Sequence, residues 1–149
     1  MRICELFNKF RMVSLPNSFA YSHNSHKIRI TIRMESMIEE YHSGSIIING
    51  KMYEHDVQIF PSGQIKSWWR KTSHEVILED VREALEQNPQ IIIFGTGSPG
   101  MMGVSDEVRE KAKTMGIELI IEPTKEAIKK FNELKKDERK VAGFFHLTC

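Results

Sequence analysis

Gln90 to Ile121 reads QIIIFGTGSPGMMGVSDEVREKAKTMGIELII, and its changes of period decide the fold. Ile91 to Phe94 is a short unbroken apolar run, the pattern of a strand buried on both faces. A glycine-rich turn follows. Ser105 then stands where an N-cap belongs, Val108, Ala112 and Met115 share one helical face, and Gly116 fits the C′ position. Glu118 to Ile121 reads as a second buried strand. Strand, helix and strand at this spacing predict a βαβ crossover with parallel strands and a right-handed connection.

Upstream, Asn49-Gly50 separates Ile46 to Ile48 from Lys51 to Tyr53, a strong hairpin signal because both turn residues tolerate positive φ. Pro61-Ser62-Gly63 turns a strand around Val57 to Phe60 into one around Gln64 to Arg70. Leu78, Val81, Ala84 and Leu85 then form a helical face that Asn88-Pro89 ends. Downstream, Thr124 is expected to cap a helix with Ala127, Ile128, Phe131 and Leu134 inward and a Glu126–Lys130 surface pair. Val141 to Leu147 returns as a final strand. The expected fold class is α/β: a three-layer single domain with a mixed central sheet flanked by helices, an N-terminal antiparallel meander and one βαβ unit.

The chain has 149 residues, 40% hydrophobic and 28% charged, the proportions of one globular domain. No apolar run approaches the roughly 20 residues of a membrane helix, so no membrane span is expected. Two cysteines, Cys4 and Cys149, make no disulfide framework and favour a reducing compartment. Charge is unevenly spread: residues 1–33 carry six basic groups against Glu5, while the rest has a net charge of −4. A core of that sign makes nucleic acid a poor partner. The head is read as a basic extension, disordered or a mis-assigned start, with residues 34–149 as the single α/β domain. Its Arg- and Ser-containing, acid-poor start also resembles a transit peptide, so the expected location is cytoplasmic, with mitochondrial as the alternative. Lys27 to Arg33 alternates strictly and also suits an edge strand.

Gly95, Gly97 and Gly100 satisfy G-x-G-x-x-G directly after a strand, with Glu122 near the place of a ribose-binding acid. Dinucleotide binding needs the helix to open within the glycine run; here Pro99 interrupts it, and Asp106 and Glu107 occupy the first turn near Ser105. No cofactor is therefore expected. The candidate pocket is Gly95, Thr96, Gly97, Ser98 and Gly100 with Glu122 and Thr124, beyond the carboxyl ends of the parallel strands, where backbone N–H groups suit a small anion. Asp56, Trp69, Arg70, His74 and His146 are the candidate polar or contact residues. Alternation sends Trp68 and Trp69 to opposite faces, one into the core and one outward. Asp56 suits an ion pair with Arg70 or Lys66. No metal is expected, since His146 and Cys149 supply two of the four ligands a structural zinc needs.

Asp56-Val57 with Pro61-Ser62-Gly63, Trp68-Trp69-Arg70 through His74, Ile93-Phe94-Gly95-Thr96-Gly97, Gly116-Ile117, Thr124 with Ala127, Phe131-Asn132 and the ending Val141 to Cys149 form a specific ordered set. From Ser43 to Cys149 the chain resembles the small α/β family that contains the adipogenesis-associated cytoplasmic protein and the third mitochondrial complex I alpha-subcomplex assembly factor. That resemblance implies a three-layer fold, eukaryotic relatives linked to respiratory-complex assembly and cell differentiation, and no established catalytic residues. The expectation is an uncharacterised, non-enzymatic interaction or assembly-factor-like protein with an unknown protein partner, a homo-oligomer being left open. The alternative is a binder of, or enzyme acting on, a small anionic metabolite at the glycine-rich loop.

Overall fold

Asn49 and Gly50 take φ angles of 51° and 80°, the left-handed pair that a two-residue type I′ turn demands. They join β2 (Ser45–Ile48) to β3 (Lys51–Tyr53), and β1 (Ile38–His42) completes a three-stranded antiparallel sheet. The computed structural model describes residues 37–148, inside the unit Glu35–Cys149. The basic head, the Lys27 to Arg33 alternation and Cys149 lie outside the described residues. Beyond the meander come β4 (Val57–Ile59), β5 (Ile65–Ser67), β6 (Glu75–Val76), α1 (Leu78–Glu86), β7 (Ile91–Thr96) and β8 (Gly103–Val104). They are followed by α2 (Asp106–Thr114), β9 (Glu118–Glu122), α3 (Thr124–Lys136) and β10 (Val141–His146).

The central sheet has the order β5-β4-β10-β7-β9. β7 runs parallel to both β9 and β10, and β4 lies antiparallel to β10, so the sheet is mixed. Alternation along β7 and β10 divides the core. Ile92, Phe94, Ala142 and Phe144 pack with Val81 and Ala84 of α1 and Val108 and Ala112 of α2. Ile91, Ile93, Val141 and Phe145 pack on the other face with Ala127 and Phe131 of α3 and with Ile38, Ile46 and Ile48 of the meander. Strand period 2 thus produces the three layers directly. The fold is α/β, as the element order predicts.

Several local expectations shift for identifiable reasons. The strand expected to reach Arg70 stops at Ser67, because the Trp68 and Arg70 side chains are drawn into packing and ion pairing. β9 is half-buried, not fully buried, because it is the edge of the sheet. Met115 sits at the C-cap of α2 and is 37% exposed, outside the packed stripe. Ser105 does cap α2, accepting from the Val108 N–H at 3.4 Å. Thr124 does not cap α3: Pro123 holds that position, and Thr124 is the first helical residue with its hydroxyl committed elsewhere. Lys130 reaches the carboxylate of Glu122 at 2.7 Å rather than that of Glu126.

Candidate functional site

β10 enters the middle of the sheet between β4 and β7. The β4–β10 register pairs Val57 with Phe145, so Asp56, one residue before β4, comes beside His146 at the end of β10. The Trp68 N–H donates to the Asp56 carbonyl at 2.8 Å, which extends the β4–β5 pairing and sets Arg70 two residues further along. Three residues far apart in sequence meet at the carboxyl ends of β7 and β10.

Their geometry is closed and directional. His146 Nδ1 lies 2.7 Å from Asp56 Oδ2, Arg70 Nη1 donates to the same oxygen at 2.7 Å, and the Leu147 N–H donates to Oδ1 at 2.9 Å. Arg70 Nη2 also lies 3.3 Å from His146 Nδ1. A nitrogen that donates to the carboxylate cannot accept from the guanidinium, and the shorter approach to a charged acceptor prevails. His146 therefore carries its proton on Nδ1. The guanidinium stacks 4.5 Å from the Trp68 ring centroid, a cation–π contact on a residue that is itself buried. Trp68 in turn lies 5.0 Å from the Phe144 ring and donates its indole N–H to the Asp80 carbonyl.

The side chains of Arg70, His146 and Asp56 are only 7%, 11% and 18% exposed. Burial pushes the Asp56 carboxyl upward, but the hydrogen bonds from His146, the Leu147 N–H and Arg70 outweigh it and hold the group below its ordinary value. Asp56 is thus a carboxylate, neutralised by Arg70. Arg70 Nε is buried without a partner among the described residues.

Of the glycine-loop residues, Gly95, Thr96 and Gly97 are buried, Gly100 is half-buried and Ser98 is exposed. Gly95 and Thr96 belong to β7, and a side chain on Gly95 would meet Phe145 and Thr124 at about 3.0 Å. The Thr124 hydroxyl donates to the His146 carbonyl at 2.6 Å and accepts from the Gly97 N–H at 2.9 Å. Thr96 donates its hydroxyl to the Glu122 carbonyl, and the Ser98 N–H donates to the Thr148 carbonyl. Gly100, with φ of 75°, lies against Pro123 and Thr96. The structure thus brings Asp56, Arg70 and His146 together and leaves two candidates outside that cluster. His74 contributes its carbonyl to the Gly103 N–H while its residue is exposed, and Trp69 is 81% exposed. Trp68 and the Leu147 N–H hold the site without having been legible as its supports, and Thr124, a candidate pocket residue, ties the glycine loop to His146. Two clefts, of about 430 and 530 Å³, lie elsewhere, one beside Gln90, Gly116 and Glu118 at the amino ends of the parallel strands and one beside Tyr53, His55 and Lys66.

A family model described as a protein of unknown function (DUF498/DUF598) matches residues 38–146, which contain the whole cluster. A conserved hypothetical protein from Pyrococcus horikoshii OT3 is similar at 32% identity, over 75% of this chain and 98% of its own, with a TM-score of 0.70. The protein MT938 is similar at 28% identity, over 76% of this chain and 99% of its own, with a TM-score of 0.66. A Mth938-like domain from Bordetella pertussis, at 18% identity over 76% of this chain and 86% of its own, shares the fold with a TM-score of 0.58.

Proposed function

The chain belongs to the DUF498/DUF598 family, whose function is not known, and we propose that it acts as a non-enzymatic, assembly-type protein that docks a protein partner on Trp69. The observation that carries this reading is the contrast at the double tryptophan. Trp68 is 3% exposed and Trp69 81%. Its neighbours are fixed on both sides: Trp68 by its bonds to Asp56 and Asp80, Arg70 by Asp56, and Lys71 by its N–H to the Asp80 carboxylate. A large indole held outward on a rigid mount loses little conformational entropy on binding, and tryptophan is among the residues that dominate interfaces. The flanking cations Lys66 and Lys71 already pair with Glu83 and Glu79, which leaves the indole as the main unsatisfied feature of this surface. The resemblance to assembly-linked relatives supports the same class of role, and a reducing, cytoplasmic setting suits it.

The small-anion alternative has less behind it. The Gly97 and Ser98 N–H groups donate within the protein and the Glu122 carboxylate is paired with Lys130. Quantitative affinity capture from native extract with wild-type and Trp69→Ala baits tests the proposal. A partner retained by the wild type across salt concentrations should fall at least about tenfold on the variant, as expected of an interface anchor. Equal retention on both baits, or no partner above background, overturns it.

A further inference from the structure

The end of the sheet opposite the Asp56 cluster holds a cleft of about 430 Å³, within the size range of small-molecule sites. It lies where α2 stops and β9 begins, and a side chain placed on Gly116 would meet nothing within 4 Å, so the space beside that residue is open. Pro89 and Ile117 are buried in its wall and Met115 is 37% exposed, which gives it an apolar patch. Two charged residues also line it, and Gln90 positions both. The Gln90 side-chain carbonyl accepts from Arg139 Nε at 3.3 Å and from the Lys140 N–H at 3.0 Å, while its main-chain carbonyl accepts from the Glu118 N–H at 3.1 Å. Held through Nε, the Arg139 guanidinium keeps both terminal nitrogens for a ligand, a fork that matches a carboxylate. Along β9, Leu119 and Ile121 pack on the side of α1 and α2 and Ile120 on the side of α3, so alternation turns Glu118 toward the side where Arg139 follows α3. Among the described residues neither Arg139 nor Glu118 has an ion-pair partner, and they do not pair with each other. Helix α2 ends at the cleft as well, with the partial negative charge of its last carbonyls beside Met115 and Gly116.

We propose that this cleft binds a free α-amino acid with an apolar side chain, taken up as the zwitterion. Charge selects the class. A plain carboxylate gains Arg139 but faces Glu118 and the α2 terminus, and a plain amine gains those two but faces Arg139. A ligand with both charges on neighbouring carbons' substituents meets all three favourably: its carboxylate lies on the Arg139 fork and its ammonium toward Glu118 and the end of α2. The aliphatic body then covers Pro89, Met115 and Ile117. No bond is made or broken, so this is a site for a bound effector, and it is independent of the partner contact at Trp69.

L-Leucine is the probe, titrated into the isotope-labelled full chain and read by NMR at the Gly116 and Ile117 amides. Both signals should shift, with half-saturation below about 5 mM. Isocaproate, which lacks the ammonium, and isoamylamine, which lacks the carboxylate, should each bind at least about tenfold more weakly, the loss expected for one hydrogen-bonded charge. The same loss should appear for L-leucine with Arg139→Gln and with Glu118→Gln. Glycine, which has no side chain to cover the apolar patch, should bind at least about fivefold more weakly than L-leucine. Both substituted positions are exposed, so the variants should melt with the wild type; should one fail to fold, the analogue series on the wild type decides. No shift of either amide at about 20 mM L-leucine, far above the need of even a weak specific site, overturns the proposal. Equal affinity for L-leucine and isocaproate, or unchanged affinity in both variants, overturns it as well. Neither result bears on partner capture through Trp69.

Discussion

Replacing Asp56 with alanine strands Arg70. The guanidinium is 7% exposed and its carboxylate partner 18%, so the pair is largely desolvated, and removing one member of such a pair costs about 3–5 kcal/mol. Partial exposure of the carboxylate favours the lower end, while the Leu147 N–H, bonded to Oδ1 at 2.9 Å, adds about 1 kcal/mol when left unsatisfied. Together these place Asp56→Ala about 4 kcal/mol below wild type. With a urea m-value of about 2 kcal/mol/M, the midpoint at pH 7 should fall by about 2 M. Most of this cost comes from the unpaired charge. In an Arg70→Met background the same substitution should cost only about 1–2 kcal/mol, and the difference is the coupling that a double-mutant cycle reads. A midpoint shift under about 0.5 M, or an equal cost in both backgrounds, would refute the reasoning.

Three other outcomes are expected. Because folding lowers the Asp56 pKa from its ordinary 3.8, its contribution is fully present above about pH 5 and is lost as pH falls through the lowered folded value; the stability gap between wild type and Asp56→Asn should therefore close only below about pH 4, and urea melts showing it close between pH 7 and 5 would count against this. A side chain on Gly143 would stand 2.6 Å from Phe145 and 2.9 Å from Phe131, so Gly143→Ala should cost about 2–3 kcal/mol by overpacking, whereas Gly103→Ala, whose nearest neighbour would be the His74 carbonyl at 3.7 Å, should stay within about 1 kcal/mol by the same melts. A chain starting at Met34 should unfold at the same urea concentration as the full chain, and a clearly lower midpoint would show that residues 1–33 pack on the domain.

What the sequence made legible was local. The Asn49-Gly50 hairpin, the Ser105 cap and the β7–α2–β9 crossover each rest on signals within a few residues, and all stand in the structure. The split of Trp68 from Trp69 followed from alternation alone, although their strand ends one residue before them. The meeting of Asp56 with His146 was not legible, because it depends on β10 inserting between β4 and β7 across 90 positions of sequence. Its one hint was the unbroken run from Val141 to Phe145, whose burial on both faces suits a central strand. Thr124 looked like a cap because Thr before a helical face usually is one; Pro123 frees it to join Gly97 to His146.

Photocrosslinking tests the proposed role of Trp69 most directly. With p-benzoylphenylalanine at position 69 in living cells, and at the exposed Met52 on β3 as a control, crosslinked products are separated and identified by mass spectrometry. One discrete partner captured from position 69 and not from position 52 is the predicted result. No product from position 69, or the same products from both positions, would contradict it.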